Sequence, residues 1–273
     1  MHFRACVDEL RSCFRLGAGW TDAVRLSAAT MAFHASKSGS NSFARGREFR
    51  IRGERREYQI RLRPRTGDIF ILHEILTFKA YDLSKILQMR PRIRTVVDLG
   101  ANIGLASLFF HDVLAPERLI AVEPVASNFA LLQSNLSFAG SSIVCEHAAV
   151  NRTAGFAQIV DAQAATWGAQ FAPAAAGPNA VLQTTVPDLM RANGLDRIDL
   201  LKIDVEGAEE QIFAEEADWL SKVGVVLAEL HTDLAASRFQ AAASRHGFRM
   251  ASAPDARFAL AINYLQLRDD TIS

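Results

Sequence analysis

The chain has 273 residues, 49% of them apolar, and its 30 basic residues balance its 30 acidic ones. This length suits one large α/β domain or one domain with an appendage, and the apolar content excludes a disordered chain. Zero net charge gives no electrostatic reason to expect nucleic-acid binding. No apolar run reaches the roughly 18 residues of a membrane span, and the N-terminus lacks the apolar core of a secretory signal. The three cysteines form no CxxC pair, so we expect neither zinc nor disulfides, and a cytoplasmic location.

The first third of the chain predicts helices and a hairpin. Residues 1–35 have the pattern of one or two amphipathic helices, which offer a surface for a homodimer contact, and the Ser- and Gly-rich stretch 36–46 is a linker. In "REFRIRGERREYQIRLRPR", 47–65, apolar residues alternate with arginines. This period of two predicts a hairpin whose arginine face either is solvated, which we favour, or meets a phosphate or an acidic sugar. Residues 68–90 have the apolar stripe of a helix.

From residue 95 onward, strands alternate with helices. The strand candidates are strongly apolar, which predicts a parallel sheet covered on both faces; they are "TVVDLG", "RLIAVEP", "SIVCEHAAV", "LLKIDVEG" and "VGVVLAELH". "FRMAS" and "FALAINYLQL" are candidates for a final strand pair. An insertion at 151–187 has the pattern of a strand, an Ala/Pro loop "FAPAAAGP" and the strand "VLQTTV", and its length is typical of a lid. Trp167 in this insertion either lines one wall of an acceptor pocket or anchors a surface loop.

The stretch "VVDLGANIG" places glycines at the turn between the first of these strands and its helix. Gly100 and Gly104 allow a sharp turn and close approach to a ligand, and the helix N-terminus adds free N–H groups. Glu123 ends the next strand about 20 residues on, where a carboxylate can bind both ribose hydroxyls. The spacing is DxGxNxG rather than GxGxxG, and Asp98 would repel a pyrophosphate but attract an ammonium group. The pattern therefore favours S-adenosylmethionine over a dinucleotide.

Carboxylates follow the strand "LLKID". Asp204 lies at a strand end, where ligands bind in open α/β sheets, and Glu206 follows it in the loop. Glu209 and Glu210 fall in the first turn of the next helix, where solvated acids favour the helix dipole. His231, at the end of the neighbouring strand, is the best general base by residue type, and Asp204 competes for that role if it is buried.

A metal is a second hypothesis for these carboxylates. Asp204 and Glu206, together with Glu229 or His231, would suit Mg²⁺ as hard ligands, although we do not favour a metal. Glu229 and His231 share one face of a strand. Lys202 shares a face with Asp204, and we expect it to form an ion pair within the sheet.

The chain resembles the FkbM family of S-adenosylmethionine-dependent methyltransferases over roughly residues 60 to 270. The matching stretches are "VVDLGANIGLASLFF", "LIAVEPVASNFALLQSNL", "IDLLKIDVEGAEEQIF", "AELH" and, upstream, "LRPRTGDIFILHEIL". The resemblance implies a Rossmann-like class I methyltransferase fold with a seven-stranded, mostly parallel sheet whose last strand is antiparallel. It places the methyltransferase domain at 59–273, after an extension at 1–58 that includes the start of the hairpin.

The resemblance also implies roles for particular positions. Glu123 would hold the ribose, Ala148 would flank the adenine, and the methionine end would be lined by Asp98, Gly100, Ala101, Asn102 and Gly104. Asp204 would lie where the methyl donor meets the acceptor, and together with Glu206 and His231, chosen above by position and residue type, it forms the expected catalytic group. Arg63 and Tyr81 become candidates for acceptor contacts, although Tyr81 suits core packing equally well.

The expected activity is therefore methyl transfer from S-adenosylmethionine to a hydroxyl of a sugar or of a polyketide- or glycoside-type natural product. The expected partner is a small-molecule or glycan acceptor and not a nucleic acid. "IDVEG" differs from the Asp/Asn-Pro-Pro-Tyr string with which adenine methyltransferases stack a flipped base. Two alternatives stay open, an NAD-dependent oxidoreductase and a non-catalytic methyltransferase-like binding module.

Overall fold

The computed structural model describes residues 2–35, 46–90, 92–160, 170–214, 217–251 and 258–263. Two helices come first, α1 (His2–Leu16) and α2 (Trp20–Ala35). An antiparallel hairpin follows, formed by β1 (Arg47–Arg52) and β2 (Glu57–Leu62). Alternate residues of both strands are buried and the arginines between them are exposed, so the period of two predicted the hairpin and its faces.

The predicted helix at 68–90 is two helices, α3 (Asp68–Leu76) and α4 (Ser84–Met89). Lys79 has a positive φ of 53°, which breaks the helical path. The Asp82 carboxylate then accepts a hydrogen bond from the backbone N–H of Ser84, the first residue of α4. The break buries Tyr81, whose ring centroid lies 5.3 Å from that of Phe110.

A seven-stranded sheet forms the centre of the fold, as the resemblance implied, with the order β12-β13-β11-β10-β3-β4-β5. All its pairings are parallel except those of β13, which is antiparallel to both of its neighbours. The central strand β10 is buried at every residue because helices cover both faces of the sheet. The strands and the helices that alternate with them are β3 (Thr95–Leu99), α5 (Leu105–Leu114), β4 (Arg118–Val122), α6 (Ala126–Leu136), β5 (Ile143–Glu146), β10 (Ile198–Ile203), α8 (Glu209–Ile212), β11 (Val223–Glu229), α9 (Asp233–Arg245), β12 (Phe248–Ala251) and β13 (Phe258–Asn263).

The insertion between β5 and β10 forms a second sheet with the order β6-β9-β7-β8. The prediction that "FAPAAAGP" is a loop was wrong for its first half. Phe171–Ala174 form a strand that pairs antiparallel with β7. The predicted strand "VLQTTV" ends early, because the Thr185 side chain accepts from the backbone N–H of Asp188 and caps a helix. The elements are β6 (Ala149–Val150), β7 (Gly155–Ile159), β8 (Phe171–Ala174), β9 (Val181–Thr184) and α7 (Val186–Ala192).

The hairpin is fixed to two helices of the central fold by buried polar side chains. The Tyr58 hydroxyl donates to Asp112 on α5 at 2.6 Å, and Asn135 on α6 accepts from the backbone N–H of Arg61 at 2.6 Å. The extension is therefore packed on the sheet-bearing part, and the domain boundary at residue 58 stays a prediction. Within the described residues, no helix has the length and apolar character that crossing a bilayer requires.

Candidate active site

The turn after β3 passes directly against the end of β10. A Cβ atom on Gly100 would lie 1.6 Å from the carbonyl oxygen of Asp204, and the φ of Gly100 is +77°. Any side chain there would both strain the backbone and collide with a main-chain atom. The backbone N–H of Gly100 also donates to Val122, which ends β4. The glycine thus brings the ends of three strands together.

Glu123 fixes the turn to the end of β4. Its carboxylate accepts from the backbone N–H of Asn102 at 2.8 Å, the backbone N–H of Val125 at 2.9 Å and the side-chain amide of Asn128 at 3.3 Å. The side chain is 4% exposed, and this burial raises its pKa to about 7. A carboxylate has about four acceptor positions, so three donors leave about one, on Oε2, for a ligand.

A cavity of about 590 Å³ opens at these strand ends. Of the residues predicted to bind a cofactor, it is lined by Gly100, Asn102, Glu123 and Ala148. Sequence reasoning missed further lining residues from α6, the insertion and the loop after β11, namely Asn128, Asn151, Arg152, Phe171 and Thr232. Asn128 carried a usable signal, since it lies in the first turn of the helix that follows Glu123.

Asp98 is fully buried and turned toward Lys202. The Lys202 ammonium lies 3.1 Å from Asp98 and 3.3 Å from Asp204, and it donates to the carbonyl oxygen of Gly100 at 2.8 Å. Burial opposes this charge, but the two carboxylates outweigh it and raise the pKa of Lys202 well above its usual value. The ion pair predicted for Lys202 is therefore present. Asp98 contacts the turn only indirectly, because Lys202 bridges it to the carbonyl oxygen of Gly100.

Two other residues predicted to line the methionine end also have different surroundings. Ala101 faces a second cavity, described below. Gly104 has a φ of +88°, and a Cβ atom there would lie 2.9 Å from the Leu132 side chain, so this glycine serves the packing of α5 against α6.

The end of β11 brings His231 against three carboxylates. Its Nδ1 lies 2.9 Å from Glu209, and its Nε2 lies 3.4 Å from Glu206 and 4.0 Å from Asp204. The hydrogen bond with Glu209, aided by the three negative charges, raises the pKa of His231 to about 9 against the effect of partial burial. At neutral pH the imidazole is therefore protonated, which disfavours the general-base role that we expected for it.

The remaining carboxylates of this loop differ from one another. Burial, together with the charge of Asp204, raises the pKa of Glu206 to about 7. Glu209 is fully buried and accepts from the backbone N–H groups of Val205 and Gly207, so the solvated helix start predicted for it was wrong. Sequence spacing gave no signal of this, because the contact to His231 spans 22 residues.

One atom each of Asp204, Glu206 and His231 lies within 4.8 Å of the other two, a spacing that suits a divalent cation. A protonated His231 explains the same proximity by ion pairing, because it lies between carboxylates. The three residues fit either arrangement.

A second cavity of about 270 Å³ lies beside the first, and both are lined by Gly100, Asn102, Asp204 and Glu206. Its far side is formed by α3 and the break after it, through Phe70, Ile71, Glu74, Ile75 and Tyr81. Glu229 and His231 both face it, as their shared strand face predicted. Burial raises the pKa of Tyr81 above its usual value.

Of the predicted acceptor contacts, Tyr81 alone lines this second cavity within the described chain, and Trp167 falls outside the described residues. Arg63 is 1% exposed and is held by Asp68 through two hydrogen bonds of 2.9 and 2.8 Å. It also donates to Asn128 at 2.8 Å. Arg63 therefore helps to hold Asn128, whose side-chain amide donates to Glu123.

A seven-stranded sheet of this order, with a glycine turn and a carboxylate at the ends of its first two parallel strands, defines a Rossmann-like methyltransferase fold. The family comparison agrees, since a model of the methyltransferase FkbM domain matches residues 98–250. The chain belongs to the FkbM methyltransferase family.

Two curated relatives are similar to this chain. The 31-O-demethyl-FK506 methyltransferase FkbM of Streptomyces tacrolimicus is 30% identical over 70% of this chain and 85% of its own length. The methyltransferase sdnD of Sordaria araneosa is 28% identical over 55% of this chain and 70% of its own. A solved structure of a methyltransferase FkbM from Methylobacillus flagellatus has the same fold, with a TM-score of 0.50 at 15% identity. That match covers 94% of this chain and 58% of the solved one.

Proposed function

We propose that this chain transfers a methyl group from S-adenosylmethionine to a hydroxyl group of a sugar or of a polyketide- or glycoside-type natural product. The observation that carries the proposal is the pair of cavities that share Asp204 and Glu206. Methyl transfer needs a donor and an acceptor held side by side, so it needs two adjoining sites. The name of the Streptomyces relative, which gives 31-O-demethyl-FK506 as its acceptor, supports an oxygen acceptor.

The larger cavity fits S-adenosylmethionine by the chemistry of its lining. Glu123 offers a carboxylate to the ribose hydroxyls, and Ala148 and Val150 offer apolar surface to the adenine. Gly100 lines the same cavity at the turn after β3. The bound cofactor would supply a methyl group on a positively charged sulfur. The protein's own residues then have to orient the acceptor hydroxyl and accept its proton.

Glu206 is the residue that we assign to proton acceptance. Its pKa of about 7 leaves much of it ionised at neutral pH while keeping it basic enough to take a proton. It lines both cavities, so it lies near the boundary that the methyl group must cross. His231 would hold Glu206 and Asp204 in place as their charged partner, and no metal is needed for this arrangement.

Binding of S-adenosylmethionine and of NAD, measured by calorimetry, tests the cofactor. We expect S-adenosylmethionine to bind, NAD not to bind, and Glu123→Ala to weaken binding at least about tenfold through loss of the ribose contact. Glu146→Ala is the matched control, because Glu146 ends the neighbouring strand β5 and its carboxylate accepts from Asn193. NAD binding would favour an oxidoreductase, and S-adenosylmethionine binding without methyl transfer to any hydroxylated sugar, glycoside or polyketide would favour a non-catalytic module.

A further inference from the structure

The second cavity is the place that the fold leaves for the methyl acceptor, if the larger one holds the cofactor as proposed above. The two cavities share Asp204 and Glu206, where the donor and the acceptor would meet. Its volume of about 270 Å³ is at the low end for ligand sites, which suits one ring rather than a whole macrocycle.

The wall of this cavity on the α3 side is apolar except for Glu74. Phe70 is 40% exposed, while Ile75 and Tyr81 are nearly buried beneath the same surface. An exposed phenylalanine at the mouth of a cavity offers a flat face against which the C–H groups of a ring can pack. Its position on a helix keeps this face fixed relative to Asp204.

The cavity as a whole carries excess negative charge, with Glu74 on the α3 side and the other carboxylates opposite it. Four carboxylates line it, from Glu74, Asp204, Glu206 and Glu229, against the two cationic side chains of Lys202 and His231. Both cations are already engaged, Lys202 by Asp98 and His231 by Glu209, which are themselves buried acids. An anionic acceptor would therefore meet like charge in a partly desolvated space, whereas hydroxyl or ammonium donors would meet acceptors.

We propose that this cavity is the acceptor subsite, that it takes a neutral or amine-bearing hydroxylated ring, and that it rejects acceptors bearing a carboxylate or a phosphate next to that ring. Glu74 and Glu229 supply the charge selection, and Phe70 supplies the surface on which the ring packs. None of these three residues is needed for the cofactor site, so their effects are separable from cofactor binding.

Three methyl pyranosides that differ only in charge test this subsite: methyl glucoside, methyl glucosaminide and methyl glucuronide. Their binding to the full chain saturated with S-adenosylhomocysteine is measured by saturation-transfer NMR titration. We expect the neutral and amine-bearing rings to bind and the glucuronide to bind at least about tenfold more weakly, as like-charge contacts predict. Equal binding of the glucuronide, or no binding of the first two rings, would overturn the proposal.

Variants of the lining residues test whether the pyranosides bind in this cavity. Glu74→Gln and Glu229→Gln should each reduce the discrimination against the glucuronide about threefold or more, while Glu117→Gln, an exposed acid in a surface ion pair, should leave it unchanged. Phe70→Ala should weaken all bound rings, while the comparably exposed Phe78→Ala should not. Rings that bind but ignore Phe70→Ala would place their site elsewhere and refute the subsite. Failure of S-adenosylhomocysteine to bind in calorimetry would instead refute the proposed function.

Discussion

The carbonyl oxygen of Asp204 occupies the space that a Cβ atom of residue 100 would need, 1.6 Å from that position. The turn after β3 and the loop after β10 are thus in direct main-chain contact, and this contact depends on the absence of a side chain at one position. It joins two segments that are about a hundred residues apart in the sequence.

Gly100→Ala should therefore destabilise the protein and disable the site. The added methyl group must displace the end of β10 as well as tolerate a φ of +77°, which we expect to cost about 3 kcal/mol or more. Gly194→Ala is the matched control, since Gly194 also has a positive φ, +60°, but has open space around it. It should cost about 1 kcal/mol, the backbone cost alone. Urea unfolding measures both, and equal losses would contradict the contact.

Binding of S-adenosylmethionine should weaken as the pH falls below neutrality. The pKa of Glu123 is raised by burial to about 7, so at pH 5.5 its carboxyl group is mostly protonated and accepts poorly from ribose hydroxyls. We expect about a tenfold loss of affinity between pH 7.5 and 5.5, measured by calorimetry. Glu123→Gln should bind weakly at both values with a flat profile. A variant whose pH profile paralleled that of the unmodified protein would show that another group titrates.

Turnover should depend on the carboxylate of Glu206. Glu206→Gln should lower kcat by about 10²-fold or more with any acceptor that the protein methylates, because it removes the proton acceptor, while affinity for S-adenosylmethionine changes little. In the unmodified protein, kcat should rise with pH through about 7, the pKa of Glu206. An ascending limb that persists in Glu206→Gln would assign proton acceptance to another residue.

The same assays address a metal. The ion pairs of His231 account for the arrangement of its carboxylates, so treatment with a chelator should leave kcat unchanged. A loss of turnover on chelation that Mg²⁺ or Mn²⁺ restores would instead assign the three residues to a bound cation.

Stability against acid should depend on His73, a buried residue of α3 that faces the N-terminal helices. Its ring nitrogens contact Thr30 at 2.9 Å and Thr77 at 3.0 Å, and burial, helped by the charge of His34, lowers its pKa to about 4. Between pH 6.5 and 4 the unfolded chain binds more protons at this residue than the folded one, so the free energy of unfolding decreases as the pH falls through that window. From pH 7.5 to 5.0 the loss is about 2 kcal/mol.

His73→Gln keeps a polar group in the network and cannot titrate, so it should lose less stability over the same pH range than the unmodified protein. The exposed His147→Gln is the matched control and should follow the unmodified protein. Urea unfolding at the two pH values gives the comparison, and identical losses for His73→Gln and the unmodified protein would remove His73 as the cause.

Sequence patterns predicted the central sheet because its strands are apolar throughout and its glycines stand at strand ends. They placed Glu123 and Asp204 at the ends of parallel strands, where ligands bind, and the roles of these two residues stay predictions. They did not reveal the second cavity, since Phe70 and Glu74 on α3 face residues more than a hundred positions away. Nor did they reveal β8, whose Ala- and Pro-rich sequence has low strand propensity and pairs only because β7 lies beside it.

The family match begins at residue 98, yet part of the machinery that holds Glu123 lies before it. Arg63 donates to Asn128, which in turn donates to Glu123, so a guanidinium two hydrogen bonds away stands behind the Glu123 carboxylate. Excision of the preceding segment would remove the guanidinium that holds the side-chain oxygen of Asn128 and would uncover a buried contact beside the larger cavity. The portion that the family model matches therefore lacks one of the side chains that order Glu123, and the segment after the hairpin supplies it.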